Sequence, residues 1–208
     1  MPEKHTNIES ENEAQSHSLT ASIDHILQAA YVLYSKDKLT LIHSLLKGKE
    51  IGSVLIFTSS KTNAKMVARE LRKIEYEAYD IHEDLDAEKR EILLEDFLDK
   101  EFHILVISDA LVKEISLEGI KLIINYDAPT TVKDYVARIS QNTTGNSSAV
   151  ALTLVNDRGQ KKFQRIEKAL GKDVFKIPLP KELNGSVQPV IENQMPVKKK
   201  VKRRKIIK

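Results

Sequence analysis

The sequence predicts an α/β domain in which a parallel sheet carries helices on both faces, with a polar tail at each end. Three observations carry this. Short apolar runs rich in β-branched residues recur, SVLIFTS (53–59), HILVIS (103–108) and KLIINY (121–126), as strands buried on both faces do. Segments of helical period alternate with these runs, the pattern of parallel strands joined by crossover helices. The chain has 208 residues, 41% of them apolar, enough for one packed domain plus tails.

Residues 1–22 are polar and aperiodic and are expected to be a disordered tail before a domain spanning 23–180. HILQAAYVLY (25–34) reads as the first strand. In SKDKLTLIHSLLKG, Leu39, Ile42, Leu45 and Leu46 fall at helical spacing, with Ser35 as N-cap and Gly48 as C-cap. SVLIFTS is the second strand, and the helix after it places Ala64, Val67, Ala68, Leu71 and Ile74 on one face. EAYDIH (77–82) is a strand, and DAEKREILLEDFLDK is a helix capped by Asp86 with Ile92, Leu93 and Phe97 inward. After HILVIS and KLIINY, TVKDYVARI is a short helix opening at Thr130 or Thr131. SAVALTLV (148–155) is a strand and RGQKKFQRIEKAL a helix. Residues 181–196 read as a linker of low hydrophobicity, and 197–208 as a basic tail.

Composition excludes several classes. With no Cys there is no disulfide framework, thiolate metal site or Cys nucleophile. No apolar run approaches the roughly 20 residues that cross a bilayer, and the first residues contain no apolar stretch like that of a secretory signal. No membrane association is expected, and the expected location is cytoplasmic. His82, Glu83, Asp84 and Asp86 have metal-capable side chains but no second His or Cys cluster, so no metal is expected. The net charge of +3 is uneven: the last twelve residues, VKKKVKRRKIIK, hold eight Lys/Arg, leaving 25 Lys/Arg against 30 Asp/Glu, a net of −5, in the rest. A basic block on a mildly acidic body points to an arm that binds polyanions.

Ligand sites of open parallel sheets form at the carboxyl ends of the strands. Those ends are TSSK (58–61), IHEDLD (81–86), SDALVK (108–113), NYDAP (125–129) and RISQNTTG (138–145). In this order and spacing they resemble the C-terminal RecA-like lobe of DEAD-box RNA helicases, over about residues 25–178. VLIFTSS (54–60) resembles motif IV. IHEDLDAEKREILLEDFLDKEFHILVISD (81–109) resembles the LHG…QxxR…F…VLVATD stretch. SDALVKEIS (108–116) stands at TDxxARGxD, and LIINYDAPTTVKDYVARI (122–139) resembles VINYDxPxxxxxYxHRI. The resemblance implies a single RecA-like domain. It also implies that ATP would bind between two lobes, of which this chain is expected to supply the second, since it contains neither a G-x-x-x-x-G-K-[ST] loop nor a D-E-A-D string.

The resemblance further implies what has been lost. The second lobe of the family contributes arginines that neutralise charge on the γ-phosphate. Aligned through Tyr135, Arg138 and Ile139, those arginines fall at Gln141 and Thr144, and only Arg138 of the motif's arginines is kept. Arg-Gly-x-Asp of motif V has become Lys113, Glu114, Ile115 and Ser116. Asp109, Ser116, Arg138, Gln141 and Thr144 are therefore expected to be the remnant of a degenerate ATP site, with no catalytic residue and little or no ATP turnover. No cofactor is expected, ATP entering only if a separate first lobe is paired.

RNA contacts are expected from Thr58, Ser60, Lys61, Arg90, Ser108 and Lys113, weakened by Glu83 where the family has Gly and by Asp84 and Asp86 beside it. On the bland reading, TSSK is a polar helix start and Arg90 pairs with Asp86 or Glu91. In the tail, Lys198, Lys199, Lys200, Lys202, Arg203, Arg204 and Lys205 suit salt-sensitive RNA binding with little sequence preference. The alternatives for the tail are a nuclear import signal, if the source is eukaryotic, or a solubilising end. The leading expectation is a non-catalytic module, a pseudoenzyme, that associates with RNA or ribonucleoprotein, with a protein partner in place of the first lobe. The alternatives are the second half of a split ATP-dependent RNA helicase and a protein-interaction scaffold without nucleic acid.

Overall fold

Seven strands pair, all in parallel, in the computed structural model, which describes residues 23–48, 52–142 and 149–186. They are β1 (Leu27–Val32), β2 (Val54–Thr58), β3 (Ala78–Ile81), β4 (Ile104–Ser108), β5 (Leu122–Asn125), β6 (Val150–Val155) and β7 (Phe175–Lys176). Their order across the sheet is β3-β4-β2-β5-β6-β1-β7. The helices are α1 (Lys38–Leu46), α2 (Lys61–Lys73), α3 (Ala87–Leu98), α4 (Val132–Ile139) and α5 (Asp157–Leu170). None of the described helices is long and apolar enough to cross a membrane.

The two-sided apolar runs place β2 and β4 in the middle, where every residue is buried. Alternate residues feed two cores. Leu55, Phe57, Leu105, Ile107 and Ile123 meet Phe97 of α3, Tyr135 and Ile139 of α4, and Phe163 and Ile166 of α5. Val54, Ile56, Ile104, Val106 and Ile124 meet Leu41 and Ile42 of α1 and Ala64, Val67 and Leu71 of α2. Each fully buried Leu, Ile or Phe contributes about 1.5–3 kcal/mol by leaving water. The parallel sheet with helices on both faces expected from the alternation is the architecture found.

Several local expectations are corrected. A 3-10 turn over Ser35–Asp37 precedes α1, so Asp37 rather than Ser35 stands at the N-cap, and Ser35 Oγ instead accepts from Asn156 Nδ2 at 2.7 Å. The later start turns Leu41 inward and leaves Leu39 and Leu45 half-buried. Gly48 does follow the helix with φ +70°, a left-handed position that favours glycine. Ile74 lies past the end of α2 and is 44% exposed. Ile92 is 48% exposed because α3 sits by β3, an edge strand that offers it little surface, so Leu93 and Leu94 do the packing. Thr131, one of the two expected openings, caps α4 by accepting from Asp134 N. Asp86 stands at the N-cap of α3 without a capping bond and pairs with Lys89. Strand β7 was not foreseen, and packed structure runs past Pro180, where Leu183 is buried against the α1 and α2 side. The expected 1–22 tail and the basic tail lie outside the described residues.

Candidate functional site

Parallel strands bring all their carboxyl ends to one edge. Thr58 and Ser108 are register partners on β2 and β4, both buried. Thr58 Oγ1 donates to the Ser60 carbonyl at 3.0 Å, and Ser60 Oγ caps α2 by accepting from Asn63 N at 3.3 Å. Ser108 Oγ donates to Glu83 Oε2 at 2.8 Å. Lys61 Nζ lies 2.7 Å from Asp84 Oδ2, and Arg90 Nη1 lies 3.4 Å from Glu114 Oε2. Arg90 thus finds neither Asp86 nor Glu91, because the loop after β4 carries Glu114 across to α3. The Lys61 ammonium holds Asp84 below the usual carboxylate range and is itself pushed up by it. The Glu83 carboxyl is held low by its own backbone N–H and then by Ser108. The chain's own carboxylates therefore engage Lys61, Arg90 and Ser108, leaving Lys113 exposed without an ion pair among the described residues.

The second cluster sits at the ends of β4 and β5. Arg138 on α4 is fully buried, the largest such side chain among the described residues. Its Nε donates to Asp109 Oδ1 at 2.8 Å, with Nη2 2.6 Å from the same oxygen. Its Nη1 donates to Asn125 Oδ1 at 3.1 Å and to the Asp127 carbonyl at 2.8 Å. Asn125 Nδ2 donates onward to Thr153 Oγ1 at 3.1 Å, and the guanidinium stands 5.8 Å from the Phe57 ring centre. Burial lowers the Arg138 pKa, against the pull of Asp109. Asn125 and Thr153 are polar residues in otherwise apolar strands: Asn125 accepts from this guanidinium, and Thr153 accepts from Asn125. Arg138 is thus a core side chain tying α4 to the sheet, and Asp109 is its partner.

Gln141, just past α4, folds back: its Nε2 donates to the carbonyls of Val112 at 3.3 Å and Ala137 at 3.2 Å. Ser116 is exposed in the loop that carries Lys113 and Glu114. Thr144 lies outside the described residues, as do Lys198, Lys199, Lys200, Lys202, Arg203, Arg204 and Lys205.

A third cluster escaped the reading of the sequence. Lys38, on the inner face of α1, is 2% exposed. Its Nζ donates to the Tyr126 carbonyl, lies 3.1 Å from Asp127 Oδ1 and stands 4.5 Å from the Tyr126 ring centre. Asp127 Oδ2 also accepts from Ser59 N at 3.1 Å, Ser59 Oγ at 3.0 Å and Asn63 Nδ2 at 2.8 Å. Burial raises the Asp127 pKa, but Lys38 and these donors outweigh it, so the net shift is downward; burial lowers that of Lys38. A cleft of about 340 Å³ opens here, with Asn156, Arg158 and Lys162 along its α5 side. Gly159 permits the close fit of α5: a Cβ there would lie 3.3 Å from Ala128 Cβ. The available signal was Lys38 itself, four residues before Ile42 on an apolar helix face.

The model of the family described as "Helicase conserved C-terminal domain" matches residues 37–141, half of the chain. A probable ATP-dependent RNA helicase of Methanocaldococcus jannaschii is 28% identical over 178 residues, covering 85% of this chain and 48% of its own length. The ATP-dependent rRNA helicase RRP3 of Encephalitozoon cuniculi is 28% identical, covering 76% of this chain and 39% of its own. This chain thus spans less than half the length of these relatives. Among solved structures, a DEAD box protein from Methanococcus jannaschii superposes with TM-score 0.69 at 28% identity, over 75% of this chain and 43% of that one. The C-terminal domain of the DEAD-box protein Dbp5 does so with TM-score 0.69 at 25% identity, over 75% of this chain and 92% of that domain.

Proposed function

Because the chain belongs to the helicase conserved C-terminal domain family, we propose that it acts as a non-catalytic module of that fold which associates with RNA or ribonucleoprotein. The observation that carries this reading is Gln141, whose amide is turned onto Val112 and Ala137 where the family pattern calls for an arginine free to reach a phosphate. An arginine supplied to a transferring phosphoryl group is worth about 10³–10⁵ in rate, and an uncharged, internally bonded amide does not replace it. ATP hydrolysis with and without RNA tests this directly. A turnover above background by the full chain alone would overturn the reading.

RNA affinity on this reading comes mainly from the tail. In a full-length protein with the eight tail Lys/Arg changed to Gln, binding to single-stranded RNA is expected to weaken. The slope of log affinity against log salt is expected to fall by up to about 6, at about 0.7 per neutralised phosphate. Unchanged affinity in filter binding would remove the tail from the mechanism.

The body contributes less than a basic lobe would, because carboxylates of the chain stand where phosphates would bind. Glu83→Gln with Glu114→Gln removes the two negative charges that face Ser108 and Arg90. It is expected to raise RNA affinity by about threefold to tenfold at low salt, a gain that shrinks as salt screens it. No gain at any salt would mean that this edge does not face RNA.

A second reading has one observation in its favour. The relatives are named ATP-dependent RNA helicases and the chain spans less than half of their length, as the second half of a two-part enzyme would. It predicts RNA-stimulated ATP hydrolysis when a separate P-loop lobe is added. Protein partners fit either reading, since the structural relative Dbp5 has been captured with Nup159 and Gle1.

A further inference from the structure

We infer that the cleft between α1, α2 and α5 is a second binding site on this protein, one that takes the phosphate group of a nucleotide unit. The inference deepens the RNA-binding reading and rests on it only for the source of that phosphate.

The cleft differs in charge from the neighbouring strand ends. On the β3–β4 side, Lys61 and Arg90 are each engaged by a carboxylate of the chain. Across the β2–α2 turn, Arg158 and Lys162 are exposed, four residues apart on α5, and make no ion pair among the described residues. At this spacing they share one face of the helix, and both line the cleft. Its floor is the buried ammonium of Lys38. The one carboxylate in the lining, Asp127, already accepts from Lys38, from the Ser59 backbone and hydroxyl, and from Asn63. The lining therefore holds three cations against one satisfied anion. Asp157, at the start of α5, acts on Lys38 from outside the lining and reduces this excess without cancelling it.

Shape and donors match the same ligand. About 340 Å³ lies at the small end of the range of ligand pockets and accommodates one nucleotide unit. Ser35, Ser59, Asn63 and Asn156 supply neutral hydrogen-bonding groups around it. Arginine is suited to grip a phosphate through two parallel N–H···O bonds, with lysine adding a point charge. The floor is preorganised: Lys38 is fixed by Tyr126 and Asp127 and needs no rearrangement to present its field.

The test is a titration of the full-length protein, followed through its backbone amide signals, with a ten-nucleotide oligouridylate, with uridine monophosphate and with inorganic phosphate. Saturable shifts are expected at Ser59, Asn63 and Asn156. Arg158→Glu with Lys162→Glu is expected to abolish them and to weaken affinity for the cleft by at least about tenfold. These two side chains are exposed and make no ion pair among the described residues, so the variant is expected to fold, which thermal melting checks. Shifts with the oligonucleotide and the monophosphate support both the site and an RNA source. Shifts with the monophosphate alone keep the site, assign it to a free nucleotide, and count against RNA on this face. Shifts with inorganic phosphate only, at concentrations that merely raise ionic strength, overturn the proposal. No shift with any probe, or equal shifts in the double variant, also overturns it. Loss of tail-dependent RNA binding with cleft shifts retained would sink the RNA reading and leave the cleft standing.

Discussion

Arg138→Met is expected to lower stability by about 3 kcal/mol and Tm by roughly 10 °C. Methionine fills much of the volume but supplies no donor. Asn125 Oδ1 and the Asp127 carbonyl then lose their partner at the ends of a buried strand, and each unsatisfied buried acceptor costs about 1–3 kcal/mol. Asp109 limits the loss: its side chain is 33% exposed, so water resolvates the carboxylate once the guanidinium is gone. Arg138→Lys is expected to recover little, because one ammonium cannot reach Asp109, Asn125 and the Asp127 carbonyl together as the planar fork does. Urea unfolding of both variants decides the point. If either were as stable as the parent, Arg138 would not be a core tie, and a role facing a ligand would need to be reconsidered.

The Lys38–Asp127 pair gives the second large effect, and it has a pH signature. Lys38→Met is expected to destabilise by about 3 kcal/mol at neutral pH, the low end for breaking a buried ion pair, because Ser59 and Asn63 still donate to Asp127. In the parent the folded-state pKa of Asp127 lies below its usual 3.8. Its contribution is thus fully present above about pH 4 and is lost as pH falls through the lower folded value. Without Lys38 the burial that raises this pKa is opposed only by the neutral donors. The acid loss in the variant should therefore begin at higher pH than in the parent. At the alkaline end, burial places the folded pKa of Lys38 below its usual 10.5. The parent should gain stability as pH rises from that folded value toward 10.5, and the Met variant should not. Urea midpoints from pH 2 to 11 measure both limbs, and parallel curves for the two proteins would refute the assignment.

What could be read along the chain follows from local rules. Short Val, Ile and Leu runs with no polar face, alternating with amphipathic segments, fit central strands of a covered sheet, so β2, β4 and β5 were legible together with their parallel pairing. Amphipathic spacing located α2 and α5, and the residue pattern through Tyr135 and Ile139 pointed to the family whose model spans residues 37–141. The errors fall where a helix covers little, as with Ile92 on α3 by the edge strand, or where a 3-10 turn shifts the phase, as before α1. Strand β7 is two exposed residues long and has no periodicity to detect.

Local residue patterns were enough for the α/β class, the alternation of elements and the identity of the residues at the strand ends. Pairing was decided only in three dimensions. Arg138 looked like a surviving site residue, yet its 0% exposure and its bonds to Asp109 and Asn125 make it part of the core. Glu114 and Arg90 are 24 residues apart, and Lys38 and Asp127 are 89 apart. No local pattern announces which carboxylate meets which cation. Hydrophobic periodicity is set by each segment's own geometry, whereas ion pairs and clefts depend on which strand ends the sheet order makes neighbours. The order β3-β4-β2-β5-β6-β1-β7 sets Lys61 beside Asp84, and it leaves Arg158 and Lys162 without an ion pair among the described residues at the cleft above Lys38.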